Sequence, residues 1–140
     1  MNSLTSQAAA QVEIEILKFT RHFLKAFENL DMPTFSACFA EDATAFFPSP
    51  EPPLRFSGKP AIQAQFEIVF AAIRKSANAG PPFHRLDAQD FLVQIIGAET
   101  ALVSFHLQNS ERIARRTLVL VKSEDGWRIS HLHASNVPLT

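Results

Sequence analysis

The chain has 140 residues, 46% of them hydrophobic and 19% charged, with 13 basic and 14 acidic side chains and a formal net charge of −1. That length suits one domain, 1–140, with a substantial core, and the composition excludes a disordered chain. The even charge balance excludes the cationic footprint of a nucleic-acid binder, Arg115-Arg116 being too short to make one.

From about Ser6 to Asn29, the residues Val12, Ile16, Phe19, Thr20, Phe23, Phe27 and Leu30 recur at spacings of three and four, with Glu13, Lys18, Arg21, Lys25 and Glu28 on the other side. This predicts one long amphipathic helix. Asp31 as cap and Pro33 in the first turn predict a second, short helix running to about Phe39. Ala43–Pro48 reads as a strand and Ser49–Pro53 as a proline-rich loop. Ser57-Gly58 then introduces a third helix, Pro60 to about Lys75, with Ile62, Phe66, Val69, Phe70 and Ile73 on its apolar face. Asn78-Ala-Gly-Pro-Pro82 breaks it.

Beyond the break the apolar period changes to two. His84–Ile96, Thr100–Asn109, Ile113–Lys122 and Trp127–Ser135 read as strands, joined by turns at Ile96–Glu99 and Ser123–Gly126. Helices followed by a meander of strands give an α+β fold whose sheet is mainly antiparallel and covered by helices on one face. Thr117-Leu-Val-Leu-Val121 is apolar on both faces, so the outer face also needs a cover, and a second copy of the chain is the economical one. A homodimer or larger assembly through the outer sheet face is therefore expected.

Compartment follows from what is missing. The single cysteine, Cys38, allows no internal disulfide and fits a reducing cytoplasm. MNSLTSQAAAQVEIE has neither the basic start nor the apolar run of a secretory signal, and no apolar stretch approaches the roughly 20 residues a membrane span needs. A cytoplasmic protein with no membrane partner is expected.

The order of elements resembles the nuclear transport factor 2-like superfamily, with "FENLDMPTFSACFAEDATAFFP" after the first helix and "GWRISHLHAS" at the end. Within it the chain looks most like the SnoaL-like proteins and the association domain of calcium/calmodulin-dependent kinase II. Gly58, Thr117 and the terminal Gly126, Trp127, His131, His133 and Ser135 carry the second likeness. The resemblance implies a cone-like, strongly curved sheet, mixed but mainly antiparallel, with about three N-terminal helices on its concave face, as in cystatin-like folds. It also implies a conical pocket for a small, largely apolar organic molecule. Isomerase, cyclase or hydrolase-type proton transfer is the enzyme version, and a non-catalytic oligomerisation module is the alternative.

Ketosteroid isomerases resemble the stretch "FAEDATAFFPSPEPPLRFSG", and in them an Asp just before the corresponding proline is the general base. Here Phe47 precedes Pro48, and the chain has 13 Phe and no Tyr to form an oxyanion hole. Asp42 is a substitute base on one reading and a solvated turn residue on the other. Cys38 is a nucleophile on one reading and an inert core thiol on the other. His131 and His133 share a strand face and are two-thirds of a zinc site, but His22, His84 and His106 fall on other elements, so no metal and no cofactor is expected.

The association domain holds anions with inner-face arginines, and carrying those positions over gives His106, Leu118 and Ala134, none of them charged as arginine is. Strand parity sets Ser104, Arg116, Leu120, Ser130 and Leu132 on the same inward face, and Ile129, His131, His133 and Ser135 outward. The expected ligand-binding set is Phe47, Ser104, His106, Arg116, Leu118, Leu132 and Ala134. His106 is the candidate acid or base, and Arg116 is the candidate to orient an anionic group.

Overall fold

The computed structural model describes residues 6–49 and 52–139. Met1–Thr5 at the start of the first stretch, Pro50 and Glu51 of the proline-rich loop, and Thr140 lie outside it. In chain order the elements are α1 (Ser6–Glu28), α2 (Met32–Ala37), β1 (Phe39–Phe46), β2 (Phe56–Ser57), α3 (Lys59–Ser76), β3 (Ala88–Gly97), β4 (Thr100–Gln108), β5 (Arg112–Ser123) and β6 (Gly126–Pro138). None of the described helices is long and apolar enough to cross a membrane.

The corner between α1 and α2 shows how the local sequence sets the path. Leu30 takes φ 52, its N–H donates to the Phe27 carbonyl at 3.0 Å, and the Asp31 N–H donates to the Ala26 carbonyl at 2.9 Å. That pair of bonds closes a helix with a left-handed residue, normally glycine. Leucine holds the position here because its side chain is buried in the core, and burial of that size offsets the backbone strain of about 1 kcal/mol or more. Asp31 then caps α2, its Oδ1 accepting from the Thr34 N–H at 3.3 Å.

The strands form one sheet in the order β2-β1-β6-β5-β4-β3. Every neighbouring pair is antiparallel except β1 with β6, which run parallel. The sheet is thus mixed and mainly antiparallel, and the helices lie on one face of it. Ile16, Thr20, Phe23 and Ala26 of α1, Phe35 of α2, and Ile62, Phe66 and Phe70 of α3 are buried there with Val103, Leu118, Leu120, Ile129 and Leu132 of the sheet. The buried Thr20 hydroxyl is satisfied locally, donating to the Ile16 carbonyl at 2.8 Å.

Three departures from the sequence-based expectation have physical causes. The second helix stops at Ala37, and Phe39 already begins β1, because Cys38 O accepts from the Ile129 N–H at 2.7 Å and draws the chain into the sheet. The two-residue strand β2 is too short to show any period. In β6, Leu120 faces Ile129 but Val119 faces His131, leaving Ser130 as a bulge. The bulge turns Ile129 inward, where it is fully buried, and removes Ser130 from the inner-face series. Unbroken strand parity predicts the opposite for both.

Cys38 is buried in this core, its thiol donating to the Thr34 carbonyl at 3.4 Å. Burial pushes the thiol up to about 11, which holds it in the protonated, unreactive form.

Candidate functional site

A cavity of about 410 Å3 opens between the inner sheet face and the helices. Its helical wall is Phe23, Leu24 and Phe27 of α1, Phe35 of α2, and Gln65, Phe66 and Val69 of α3. Its sheet wall is Phe105, Leu107 and Gln108 of β4, Arg112, Ala114 and Arg116 of β5, and Leu132, Ala134 and Asn136 of β6. Phe47, Pro48 and Ser49 close one side, and His84–Asp87 form a rim on another. The space exists because of side-chain size. Further along the same two strands, Leu118, Leu120, Ile129 and Trp127 are large and fully packed, whereas Ala114 and Ala134 are small.

The phenylalanines are stacked into the wall. Phe47 packs against Phe56 at 4.9 Å and Phe66 at 5.1 Å between ring centroids. The rim is held to α1 through Glu28: its backbone carbonyl accepts from Phe83 N–H at 2.8 Å, and its carboxylate Oε2 accepts from Leu86 N–H at 2.7 Å. The His84 ring, exposed, lies 6.0 Å from Phe27.

The polar groups on the sheet wall are Gln108, Arg112, Arg116 and Asn136. Arg116 is partly buried, and its Nη1 donates to the carbonyls of Arg115 at 3.0 Å and Ser135 at 3.4 Å. Burial, and secondarily the like charge of Arg112, holds its pKa below the ordinary arginine value. The Oδ1 atom of Asn136 is buried with no hydrogen-bond partner.

Of the expected ligand-binding residues, Phe47, Arg116, Leu132 and Ala134 line this cavity together. Ser104 and His106 do not: β4 pairs Ser104 with Thr117 and His106 with Arg115, on the outer face, while Phe105 and Leu107 point in. The candidate acid or base is thus on the far side of the sheet from the cavity, and that assignment is corrected. Leu118 points inward but is fully buried beyond the cavity floor. Phe105, Ala114, Asn136 and the His84–Asp87 rim line the cavity without having been singled out. The alternation Ala101, Val103, Phe105, Leu107 in β4 carried the signal for the first of these.

His131 and His133 lie on the outer face, their ring centroids 6.3 Å apart, each against Phe46. His131 Nδ1 is hydrogen-bonded to the Thr44 hydroxyl at 2.7 Å. Among the described residues no group of three His, Cys, Asp or Glu side chains is placed to hold a metal ion. Desolvation, then the neighbouring His133 and Arg55, holds the His131 pKa below its ordinary value of 6.5. Because the folded-state value is the lower one, the unfolded chain takes up this proton first as pH falls. The contribution to stability is complete above the ordinary value and is lost as pH drops through it towards the folded value. Urea midpoints measured at about pH 7.5 and 5.5 are expected to fall less in His131→Gln than in the unmodified chain.

A search of the curated proteins finds no sequence match. Solved structures match over most of the chain. An NTF2-like protein of unknown function from Pseudomonas putida KT2440 is similar at TM-score 0.74 and 22% identity, over 90% of this chain and 87% of that one. A protein with a cystatin-like fold from Nostoc punctiforme PCC 73102 is similar at TM-score 0.69 and 16% identity, over 98% and 96%. A ketosteroid isomerase-like protein from Erwinia carotovora atroseptica SCRI1043 is similar at TM-score 0.66 and 16% identity, over 89% and 95%. These likenesses establish an NTF2-like, cystatin-like fold. Residues 16–140, from the middle of α1 through the end of β6, match the family described as the SnoaL-like domain, and the chain belongs to that family.

Proposed function

We propose that this SnoaL-like protein binds one small, largely apolar organic molecule in the cavity between sheet and helices. The observation that carries the reading is the cavity itself: about 410 Å3, walled largely by phenylalanine, leucine and alanine, with Arg116 and Asn136 among a smaller set of polar lining residues that includes Gln65, Gln108 and Arg112. Small-molecule sites have this character, at volumes of about 300–1,000 Å3. Binding is placed ahead of proton-transfer chemistry because His106 faces away and Phe47 stands just before Pro48, where a base would be needed. Of the cavity-lining residues, the sole carboxylate is Asp87, exposed at the rim. The fold of the ketosteroid isomerase-like neighbour keeps the enzyme version in view, and turnover of a bound ligand would revive it.

Ala134→Phe tests the reading. A ring placed there fills the cavity from its sheet wall and leaves the packed end of the sheet untouched. Gently purified protein is expected to carry a bound small molecule in native mass spectrometry, and the variant to lose it while keeping its circular dichroism spectrum. Equal ligand retention by both proteins would sink the reading.

The second reading, self-association, has its own observation. On the outer face Leu92 is 55% and Ile96 65% exposed, and Leu102 of β4 and Val119 of β5 lie between them and Phe46 of β1. We propose that a second copy covers this face. Light scattering is expected to give a dimer mass or more, and Val119→Glu at the centre of the face to give a monomer. A monomeric parent protein would defeat this.

A further inference from the structure

The sheet wall of the cavity holds a cation with a recognition edge to spare. A guanidinium presents five N–H donors, and Nε–H with one Nη2–H forms a fork that matches the two oxygens of a carboxylate. In Arg116 the anchoring is done by Nη1 alone, which donates to the carbonyls of Arg115 and Ser135. Two backbone acceptors on adjacent strands thereby fix the plane of the group. Nε and Nη2 have no hydrogen-bond partner among the described residues.

The charge is also unbalanced. The described ion pairs are Lys59 with Glu41 and Lys122 with Glu15, both remote from this wall. Arg112 lines the same cavity and adds a like charge. A partly buried cation without a counterion is costly, and an anion from outside the chain is the natural remedy. Next to it, β6 sets Asn136 two residues beyond Ala134, the Cα partner of Arg116. Its buried, unpartnered Oδ1 accepts a hydrogen bond and so calls for a donor on the ligand. Opposite these polar groups stand Phe27, Phe47 and Phe66, which suit an aromatic or branched apolar body.

We infer that the ligand is a hydrophobic monocarboxylic acid, its carboxylate paired with the Nε/Nη2 edge of Arg116 and a hydroxyl or N–H beside that carboxylate donating to Asn136 Oδ1. Arylalkanoic acids carrying a 2-hydroxy or 2-acylamino group have this pattern. The inference rests on the cavity-binding reading and adds the chemistry of the headgroup to it.

The probes are 2-hydroxy-3-phenylpropanoate, 3-phenylpropanoate and 3-phenylpropanol, titrated calorimetrically into the full chain, into Arg116→Gln and into Ala134→Phe. A charge-assisted pair in a partly buried site should make 3-phenylpropanoate bind roughly 10- to 100-fold tighter than the alcohol. The 2-hydroxy acid should bind tighter still. Arg116→Gln should abolish the preference for acid over alcohol, and Asn136→Leu should remove the gain from the 2-hydroxyl. Circular dichroism and melting temperature establish that each variant is folded; should Arg116→Gln fail to fold, Arg116→Lys, which keeps charge but loses the fork, takes its place with an intermediate preference expected. Equal binding of acid and alcohol by the parent protein, blocked by Ala134→Phe, would overturn the headgroup assignment and leave the cavity reading standing. Binding of none of the three overturns both.

Discussion

Phe35→Ala is expected to destabilise the protein by about 3–5 kcal/mol, the range for removing a fully buried aromatic side chain. Phe35 is 1% exposed. Its ring centroid lies 4.6 Å from that of Phe66, 4.9 Å from Phe23, 5.2 Å from Phe70, 5.4 Å from Phe39 and 5.9 Å from Phe27. These rings come from α1, β1 and α3, so one side chain on the six-residue helix α2 joins three elements of the core. The ring–ring geometries are tilted or edge-on with one stacked pair, the arrangements worth about 0.5–1.5 kcal/mol per pair beyond area burial. Collapse cannot easily fill the hole, because Phe35 already borders the cavity and its removal would merge the two spaces. Chemical denaturation is the measurement, read as a lower midpoint at unchanged slope. Phe47→Ala is the control: Phe47 borders the same cavity but is only half-buried, near its mouth, so its loss should be much smaller. A cost for Phe35→Ala below that of Phe47→Ala would mean the phenylalanine cluster is not the centre of the core.

What was legible in the sequence divides along physical lines. The α1 and α3 stripes were plain because a helix repeats its apolar face over five turns or so, and the strands of the second half were plain because their period of two runs over nine residues or more. Face assignment was harder. In β4 the odd positions Ala101, Val103, Phe105 and Leu107 are all apolar and even positions include Ser104 and His106, so alternation read by itself favours His106 outside. Positional carry-over from the association domain put His106 inside and strand parity then put Ser104 with it, whereas the register with β5 sets both on the outer face. In β6 the Ser130 bulge could not be read, because a bulge depends on pairing with β5 and on the extra twist the sheet needs, neither of which is local. The parity was nonetheless correct beyond the bulge, at Leu132 and Ala134. The pocket was expected from the resemblance alone, and its bounds could not be read from the residues for a related reason. It is made by the small size of Ala114 and Ala134 relative to their neighbours, and alanine in a strand has no signature of its own.

Leu118→Arg is expected to abolish cooperative folding, because Leu118 belongs to the packed core beneath the cavity. Leu118 sits two residues beyond Arg116 on the same face of β5, with Val103 and Leu132 as its Cα partners. If the cavity reached this far, an arginine there would be as tolerable as the one at 116, which has two backbone carbonyls to hold it. Leu118 is instead 0% exposed, and its Cα partner Val103 is as well. A guanidinium at that depth would lose its water and meet no described carboxylate, a penalty of at least several kcal/mol after relaxation. Total stabilities of about 5–15 kcal/mol leave little room for such a loss. Leu118→Met keeps the volume and polarity and should cost less than about 1.5 kcal/mol. The paired measurement is soluble yield and a urea transition for each variant. A folded Leu118→Arg protein with tightened carboxylate binding would show that the cone extends past its apparent floor, as the resemblance to the association domain had implied. An unfolded one, beside a well-behaved methionine variant, locates the floor between Arg116 and Leu118.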